Sequence, residues 1–113
     1  MSKRRYFKKR ANAECNDEER KEATEEIKGM LLEAVSEDIP VIQYEAGNKD
    51  NKTRLSVDLV TNLANQLYIA DGWELNYVRG LCSKFTYAVE KWGAIYLSDR
   101  QMRIVRRMAK LPE

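Results

Sequence analysis

The sequence predicts an all-α fold: a small bundle of about four helices behind a basic N-terminal arm. Apolar residues recur at the three- and four-residue spacing of a helix face in four separate stretches of the chain. Two of these stretches begin with side chains that can cap a helix, at Asp71 and at Ser98. The 113 residues suffice for one domain with its own hydrophobic core.

The net charge of +2 hides an uneven distribution. Residues 1–13 carry six cations and no acid, whereas residues 14–45 carry eleven acids and three cations. The first 16 residues also lack any apolar periodicity. We therefore predict a flexible basic arm over residues 1–16 and a single helical domain over residues 17–113.

The first predicted helix covers residues 17–37. Asp17 can cap it, and the acids of its first turns suit the positive end of the helix dipole. Pro40 ends it, because the residue before a proline is disfavoured in a helix. Its second half has one apolar face, formed by Ile27, Met30, Leu31, Ala34 and Val35.

Residues 41–55 permit two structures, a short hairpin or a loop. In the first, apolar residues on either side of the polar stretch 47–52 supply two strands; these are Val41, Ile42, Tyr44, Leu55, Val57 and Leu59. In the second, the chain is a loop up to Leu55, and Ser56 caps a helix. Apolar residues continue at helical spacing from Leu59 to Leu67, so the sequence favours the loop.

The third helix is predicted to begin at Asp71, whose side chain can accept from the Glu74 amide while Glu74 reaches back. Gly93 fits the position just past its end. Gly80 lies mid-helix, where glycine costs about 1 kcal/mol against alanine, and predicts a close helix crossing. The predicted core face contains Leu75, Val78, Leu81, Cys82, Phe85, Ala88, Val89 and Trp92.

The fourth helix has the clearest predicted start. Ser98 and Gln101 form a capping box, and Leu97 with Met102 forms a hydrophobic staple around it. Its predicted buried face is Ile104, Val105, Met108 and Leu111. Four cations occupy another face: Arg100, Arg103, Arg107 and Lys110.

The composition argues against an enzyme. There is no histidine, so the commonest general base and metal ligand are missing, and no nucleophile motif or phosphate-binding glycine loop occurs. We therefore predict no catalytic residue, no metal and no cofactor. The least implausible enzyme is a metal-dependent nuclease, whose candidate residues would be Glu45, Asp50, Lys52 and Asp58.

The compartment predicted for the chain is the cytoplasm. Cys15 and Cys82 are the only cysteines, and their different surroundings predict two reduced thiols rather than a disulfide. No apolar run approaches the roughly 18–20 residues that span a bilayer, and none follows the basic N-terminus as a secretory signal requires.

Nucleic-acid binding is the first predicted function. Cations of the arm and of the last helix can neutralise phosphates, and two aromatics in the arm can stack on bases. The predicted site residues are Lys3, Arg4, Arg5, Tyr6, Phe7, Lys8, Lys9, Arg10, Arg100, Arg103, Arg107 and Lys110. Residues 63–81 have the general cadence of a helix-turn-helix, although an antiparallel helical hairpin turning at 71–72 fits better.

Binding of a host protein, as an inhibitor or adaptor, is the alternative function. Acids of the first helix could dock on a basic surface, and aromatic side chains are typical interface anchors. The residues of this alternative are Asp17, Glu18, Glu22, Glu25, Glu26, Tyr68, Trp73 and Tyr77. The aromatics, together with Tyr87 and Tyr96, could also form a homodimer interface.

Within residues 62–108, a set of capping and core residues occurs in a characteristic order: Leu63, Gln66, Leu67, Trp73, Glu74, Val78, Leu81, Leu97, Ser98, Gln101, Ile104 and Val105. With these residues the segment resembles a short helical unit that recurs in small bacteriophage proteins, some of which accompany DNA metabolism. The resemblance implies a phage or mobile-element origin and a role in DNA handling or host interference. It assigns no catalytic residue.

Overall fold

A computed structural model describes residues 16–111 of the chain. Within these residues it contains four helices and three strands. The helices are α1 (Asp17–Ser36), α2 (Val57–Gln66), α3 (Gly72–Trp92) and α4 (Asp99–Met108). The strands are β1 (Val41–Glu45), β2 (Asn48–Arg54) and β3 (Ile95–Ser98). The prediction of an all-α bundle is therefore wrong, and the fold is α/β.

The three strands form one mixed sheet in the order β2-β1-β3. β1 pairs antiparallel with β2, placing Ile42 opposite Arg54 and Tyr44 opposite Lys52. β1 pairs parallel with β3, and Ile42 lies opposite Tyr96. Because opposed residues on paired strands point to the same side of a sheet, one face carries Tyr44 and Tyr96 together with cations of β2.

The favoured loop at residues 41–55 is wrong, and the hairpin forms with different strands. The chain turns at 46–47, where Gly47 has a φ of 91°, a left-handed conformation that suits glycine. The second strand is the polar segment Asn48–Arg54, where the sequence predicts mainly a turn. This strand is at the sheet edge and shows little apolar alternation. Ser56 nevertheless caps α2, as predicted, by accepting from the Leu59 N–H at 3.1 Å.

The hydrophobic core lies between the helices and the inner face of the sheet. α1 packs against both α2 and α3, while α4 contacts β3 and β1. Phe85 of α3 and Ile95 and Leu97 of β3 are almost fully buried, each worth about 1.5–3 kcal/mol of burial. Since α2 and α3 pack mainly on α1, the predicted antiparallel hairpin of these two helices does not form.

The helix ends follow the predicted caps with two differences. Ser98 and Gln101 form the complete capping box, with bonds of 2.8 and 3.1 Å. Asp71 accepts from the Glu74 N–H at 2.9 Å, but Glu74 accepts from the N–H of Ala70 rather than from Asp71. At α1 the cap is Asn16, one residue before the predicted Asp17.

Of the two glycines with a predicted role, one has that role and the other does not. Gly93 ends α3 in the left-handed conformation with a φ of 69°, as expected. Gly80 is exposed, and a Cβ added there would meet nothing within 4 Å, so the predicted close helix crossing is wrong. Among residues 16–111, no helix is both long enough and apolar enough to cross a membrane.

Candidate nucleic-acid interface

The structure describes only some of the residues predicted to bind nucleic acid. The cations and aromatics of the arm, residues 3–10, lie outside the described residues. The four predicted cations at the C-terminal end are described, and all of them are exposed. The structure therefore shows where these four residues lie and what surrounds them.

Three of these cations, Arg100, Arg103 and Arg107, form one row along α4, and Lys110 follows two residues beyond the end of the helix, with a φ of 57°. The spacing of three and four residues places the three arginines on one side of the helix, away from the buried Met102, Val105 and Met108. From Arg100 to Arg107 the row covers about 11 Å of helix. Its direction is fixed at the start by the Ser98 capping box. Lys110 adds a fourth cation to the row.

Aromatic side chains border this row at both ends. Near its start, the Arg100 guanidinium acts on Tyr77, whose pKa is raised by burial and lowered in part by that charge. Tyr77 stacks on Trp73, with ring centroids 5.1 Å apart and planes 12° apart. Trp73 is 53% exposed, so one side of this stacked pair is open to solvent.

At the other end of the row, the Lys110 ammonium lies over the Tyr68 ring, 5.8 Å from its centroid. The Tyr68 N–H donates to the Met108 carbonyl at 3.2 Å, which ties the α2–α3 loop to the end of α4. Tyr68 is 53% exposed. We call this surface the α4 face; it consists of Tyr68, Trp73, Tyr77, Arg100, Arg103, Arg107 and Lys110.

The α4 face is electropositive. Within residues 16–111, Arg100 and Arg103 form no ion pair. The acid at the start of the helix, Asp99, accepts a hydrogen bond from Gln43 at 2.7 Å and is partly buried. Cations near the end of α4 also suit the negative pole of its dipole. The row can therefore attract an anionic ligand.

The acids proposed for a protein interface are exposed on α1, but cations lie among them. Arg20 pairs with Asp17 and also lies 5.8 Å from the Tyr68 centroid. Glu19 pairs with Arg79 of α3 at 3.5 Å. A shallow depression of about 240 Å³ is lined by Asp17, Arg20, Lys21, Thr24, Glu25, Lys28, Tyr68 and Ile69. Tyr68 thus lies at the border between the acids of α1 and the cations of α4.

The residues proposed for the two functions are therefore partly combined. Tyr68, Trp73 and Tyr77 came from the protein-interface alternative, yet Tyr68 and Tyr77 lie beside cations of the nucleic-acid prediction. The acids of that alternative remain on α1: Asp17, Glu18, Glu22, Glu25 and Glu26. Rings and cations in one surface are the combination that single-stranded nucleic acids require.

A second aromatic surface was missed by the sequence analysis. Trp92, predicted to be in the core, is 57% exposed at the end of α3. Its ring contacts Tyr96 of β3 edge-on at 6.0 Å, and Tyr96 contacts Tyr44 of β1 at 6.5 Å. Tyr87 contacts Trp92 from the preceding turn at 5.6 Å. The alternation of Ile95, Tyr96 and Leu97 was the available sequence signal, but it covers only four residues.

We call this second surface the sheet face; it consists of Tyr44, Lys52, Tyr87, Lys91, Trp92 and Tyr96. Four of these residues line an open depression of about 310 Å³: Tyr44, Lys52, Trp92 and Tyr96. The Lys91 ammonium lies 5.8 Å from the Tyr87 centroid.

The remaining chemical groups show no reactive arrangement. Among residues 16–111, no three His, Cys, Asp or Glu side chains come close enough to hold a metal ion. This includes the carboxylates Glu45, Asp50 and Asp58 of the nuclease alternative. Cys82 is a buried free thiol whose pKa is raised to about 12 by burial and by the charge of Glu26. Such a thiol is protonated at neutral pH, and the thiol is a much poorer nucleophile than the thiolate.

Comparisons with known proteins add no identity. A scan of protein-family models, a search of characterised proteins and a search of solved structures find no match to this chain. The resemblance to a bacteriophage helical unit stays a prediction. Function must therefore be inferred from the two aromatic surfaces themselves.

Proposed function

We propose that this protein is a small non-enzymatic accessory protein that binds nucleic acid through the α4 face. The observation that carries the proposal is the row of exposed cations formed by three arginines of α4 and by Lys110 just beyond it, bordered by the exposed rings of Tyr68 and Trp73. Cations along a row can each contact a phosphate, and the released counterions supply the binding free energy.

The dimensions of the row suit one nucleic-acid strand. The three arginines of α4 span about 11 Å, which corresponds to about three phosphates at about 3.4 Å of rise per strand charge, and Lys110 can contact a further one. Three of the four cations are arginines, whose planar guanidinium forms paired hydrogen bonds to phosphate oxygens. The basic arm, residues 1–16, is proposed to add further phosphate contacts.

Binding of a host protein remains the rival proposal. It is supported by the exposed acids of α1 and by the exposed aromatics. Arg20, Lys21 and Lys28 lie among those acids around one depression, which reduces the local negative charge. The uninterrupted row of cations on α4 therefore favours a nucleic acid as the first ligand to test.

The test is a fluorescence-anisotropy titration with labelled single- and double-stranded DNA and RNA at two salt concentrations. We expect Arg103→Gln to weaken binding to every sequence by a similar factor and to lower the salt slope by about 1. The matched control is Arg79→Gln, which removes one exposed arginine that pairs with Glu19 instead. An exposed pair of this kind contributes only about 0–1 kcal/mol to stability.

Equal effects of the two substitutions would show that total charge, rather than the α4 face, governs affinity. Full-length protein that binds none of the four nucleic acids at low salt would contradict the proposal. Retention of a host protein from nuclease-treated lysate, lost with Glu22→Lys and Glu25→Lys, would then support the rival.

A further inference from the structure

We infer that the sheet face is a second nucleic-acid site, which stacks unpaired bases and so makes the protein selective for single strands. The inference rests on the proposed function for its ligand class and adds the strand state and a second location. Three aromatic rings from three separate elements converge on one depression there: Tyr44 of β1, Trp92 of α3 and Tyr96 of β3.

The arrangement of the rings leaves flat aromatic surface accessible. Trp92 meets Tyr96 at an interplanar angle of 88°, and Tyr44 meets Tyr96 at 70°. Because the rings meet edge to face rather than stacking on one another, each contact covers the face of only one ring of the pair. Trp92 and Tyr87 are both more than half exposed. A base placed in the depression can therefore stack on a ring.

The charge of the site selects among ligands that bind aromatic surfaces. Aromatic cages also hold quaternary ammonium groups, but the charged side chain that lines this depression is Lys52. A lysine repels a cationic ligand and attracts a phosphate. Lys91, above Tyr87, adds a second cation to the same face. Rings plus cations fit a nucleotide: the base on a ring and its phosphate on an ammonium group.

The volume is also suited to a small planar group. At about 310 Å³, the depression is at the lower end of the range of about 300–1,000 Å³ typical of ligand sites. A duplex keeps its bases paired and stacked inside, so it cannot present one to this depression. Selectivity for unpaired bases follows.

The sheet face and the α4 face lie at the two ends of one stripe on α3, which is exposed except at the half-buried Tyr77. This stripe contains Trp73, Tyr77, Gly80, Lys84, Tyr87 and Lys91, which recur at the spacing of a single helix side. From Trp73 to Lys91 it measures about 27 Å. A single strand of about eight nucleotides reaches both faces even at the rise of about 3.4 Å per nucleotide that a duplex strand has. Continuity with the proposed phosphate-binding surface is thus the second reason to assign a nucleic acid here.

The two tryptophans allow binding at each face to be measured separately, because Trp73 is in the α4 face and Trp92 in the sheet face. With Trp73→Phe, Trp92 becomes the single tryptophan reporter. We expect an oligothymidine of about eight nucleotides to quench its fluorescence, and a DNA duplex of equal length to leave it unchanged. Absence of quenching at a large excess of oligothymidine and of oligouridine would overturn the inference.

Substitutions of Tyr96 separate stacking from simple apolar docking. Tyr96→Phe keeps the ring and should keep single-strand affinity. Tyr96→Leu keeps apolar volume without a ring and should weaken single-strand binding about 5- to 150-fold, equivalent to about 1–3 kcal/mol per base. Duplex affinity should be unchanged in both variants. Equal affinity of the Leu and Phe variants would overturn the inference, since a peptide or other apolar ligand would then fit equally well.

The outcomes of the two proposals are distinguishable. If Arg103→Gln weakens binding and Tyr96→Leu does not, the α4 face stands and the sheet site falls. If Tyr96→Leu weakens single-strand binding and Arg103→Gln does not, the sheet site stands and the α4 proposal falls. Circular dichroism and denaturation of Tyr96→Phe and Tyr96→Leu check that a weakened variant is still folded.

Discussion

The α4 face and the sheet face contain the same kinds of residue but are built differently. The three arginines of the α4 face follow one another along a single helix, at a spacing that the sequence shows directly, and Lys110 comes two residues after its end. The rings of the sheet face come from β1, β3 and the end of α3, and only the fold brings them together. A surface made by one helix is readable from sequence, whereas a surface made by several elements is not.

The two faces also differ in which interaction dominates. Four cations give the α4 face a large electrostatic contribution, which salt screens. Around the depression of the sheet face three rings accompany one lysine, so stacking contributes more than charge. Salt should therefore weaken binding at the α4 face strongly and binding at the sheet face only slightly. The following predictions test how far the faces depend on each other.

The largest effect is expected from Leu97→Ala. Leu97 is 1% exposed in β3, between Tyr96 of the sheet face and Ser98, which caps α4. Truncation removes buried methyl groups and leaves a cavity, which should lower the free energy of unfolding by about 2–5 kcal/mol. Urea denaturation followed by circular dichroism measures it.

The control for Leu97→Ala is Val57→Ala, because Val57 is 55% exposed in α2 and should change stability by no more than about 0.5 kcal/mol. Where the Leu97 variant remains folded, both faces should lose affinity together. Loss at one face alone would contradict their shared support by β3.

The four helices could be predicted largely because their signals are local. Apolar faces and cap residues determine where α3 and α4 begin, and the predicted Ser98 box forms in full. The sheet could not be predicted in the same way. β3 has only four residues, between the end of α3 and the start of α4. Its pairing partner β1 lies more than fifty residues earlier in the chain. Such pairing depends on tertiary packing rather than on local propensity.

The residues of the two proposed binding faces differ in the same way in how far the sequence predicts them. The exposed row of α4 was predicted, because a cationic face opposite an apolar face is a helical pattern. Trp92 was wrongly assigned to the core because helical spacing alone continued the apolar face one turn too far. At the last turn of α3 its partners are Tyr87 and Tyr96 on the surface, not the core.

An intermediate effect is expected from Ser98→Ala. Ser98 ends β3 and accepts from the Gln101 N–H at 3.1 Å at the start of α4. Loss of this cap should cost about 0.5–2 kcal/mol. The first turn of α4 carries Arg100, so the α4 face should be affected before the rings of the sheet face. Thermal denaturation gives the stability, and Trp92 quenching in the Trp73→Phe background reports the sheet face.

Asp71→Ala is the matched control for Ser98→Ala, because Asp71 caps α3 through a similar bond of 2.9 Å to Glu74. It should cost a similar free energy while leaving α4 capped. If Ser98→Ala weakens binding at the sheet face as much as binding at the α4 face, the cap holds both faces in place.

The smallest effect is expected at Gly80, midway along the α3 stripe that joins the two faces. Gly80 is exposed, and a new Cβ would meet nothing within 4 Å. Gly80→Ala should therefore raise the free energy of unfolding by about 0.5–1 kcal/mol, because alanine loses less backbone entropy in a helix. Both faces should keep their affinities, since alanine adds no charge or ring between them.

Gly93→Ala is the opposing control, because its φ of 69° is strained for any residue with a Cβ. A loss of stability with Gly80→Ala would instead support the close helix crossing that the sequence predicts. An unchanged stability with weaker binding at both faces would show that the bare backbone at Gly80 is itself part of the path between them.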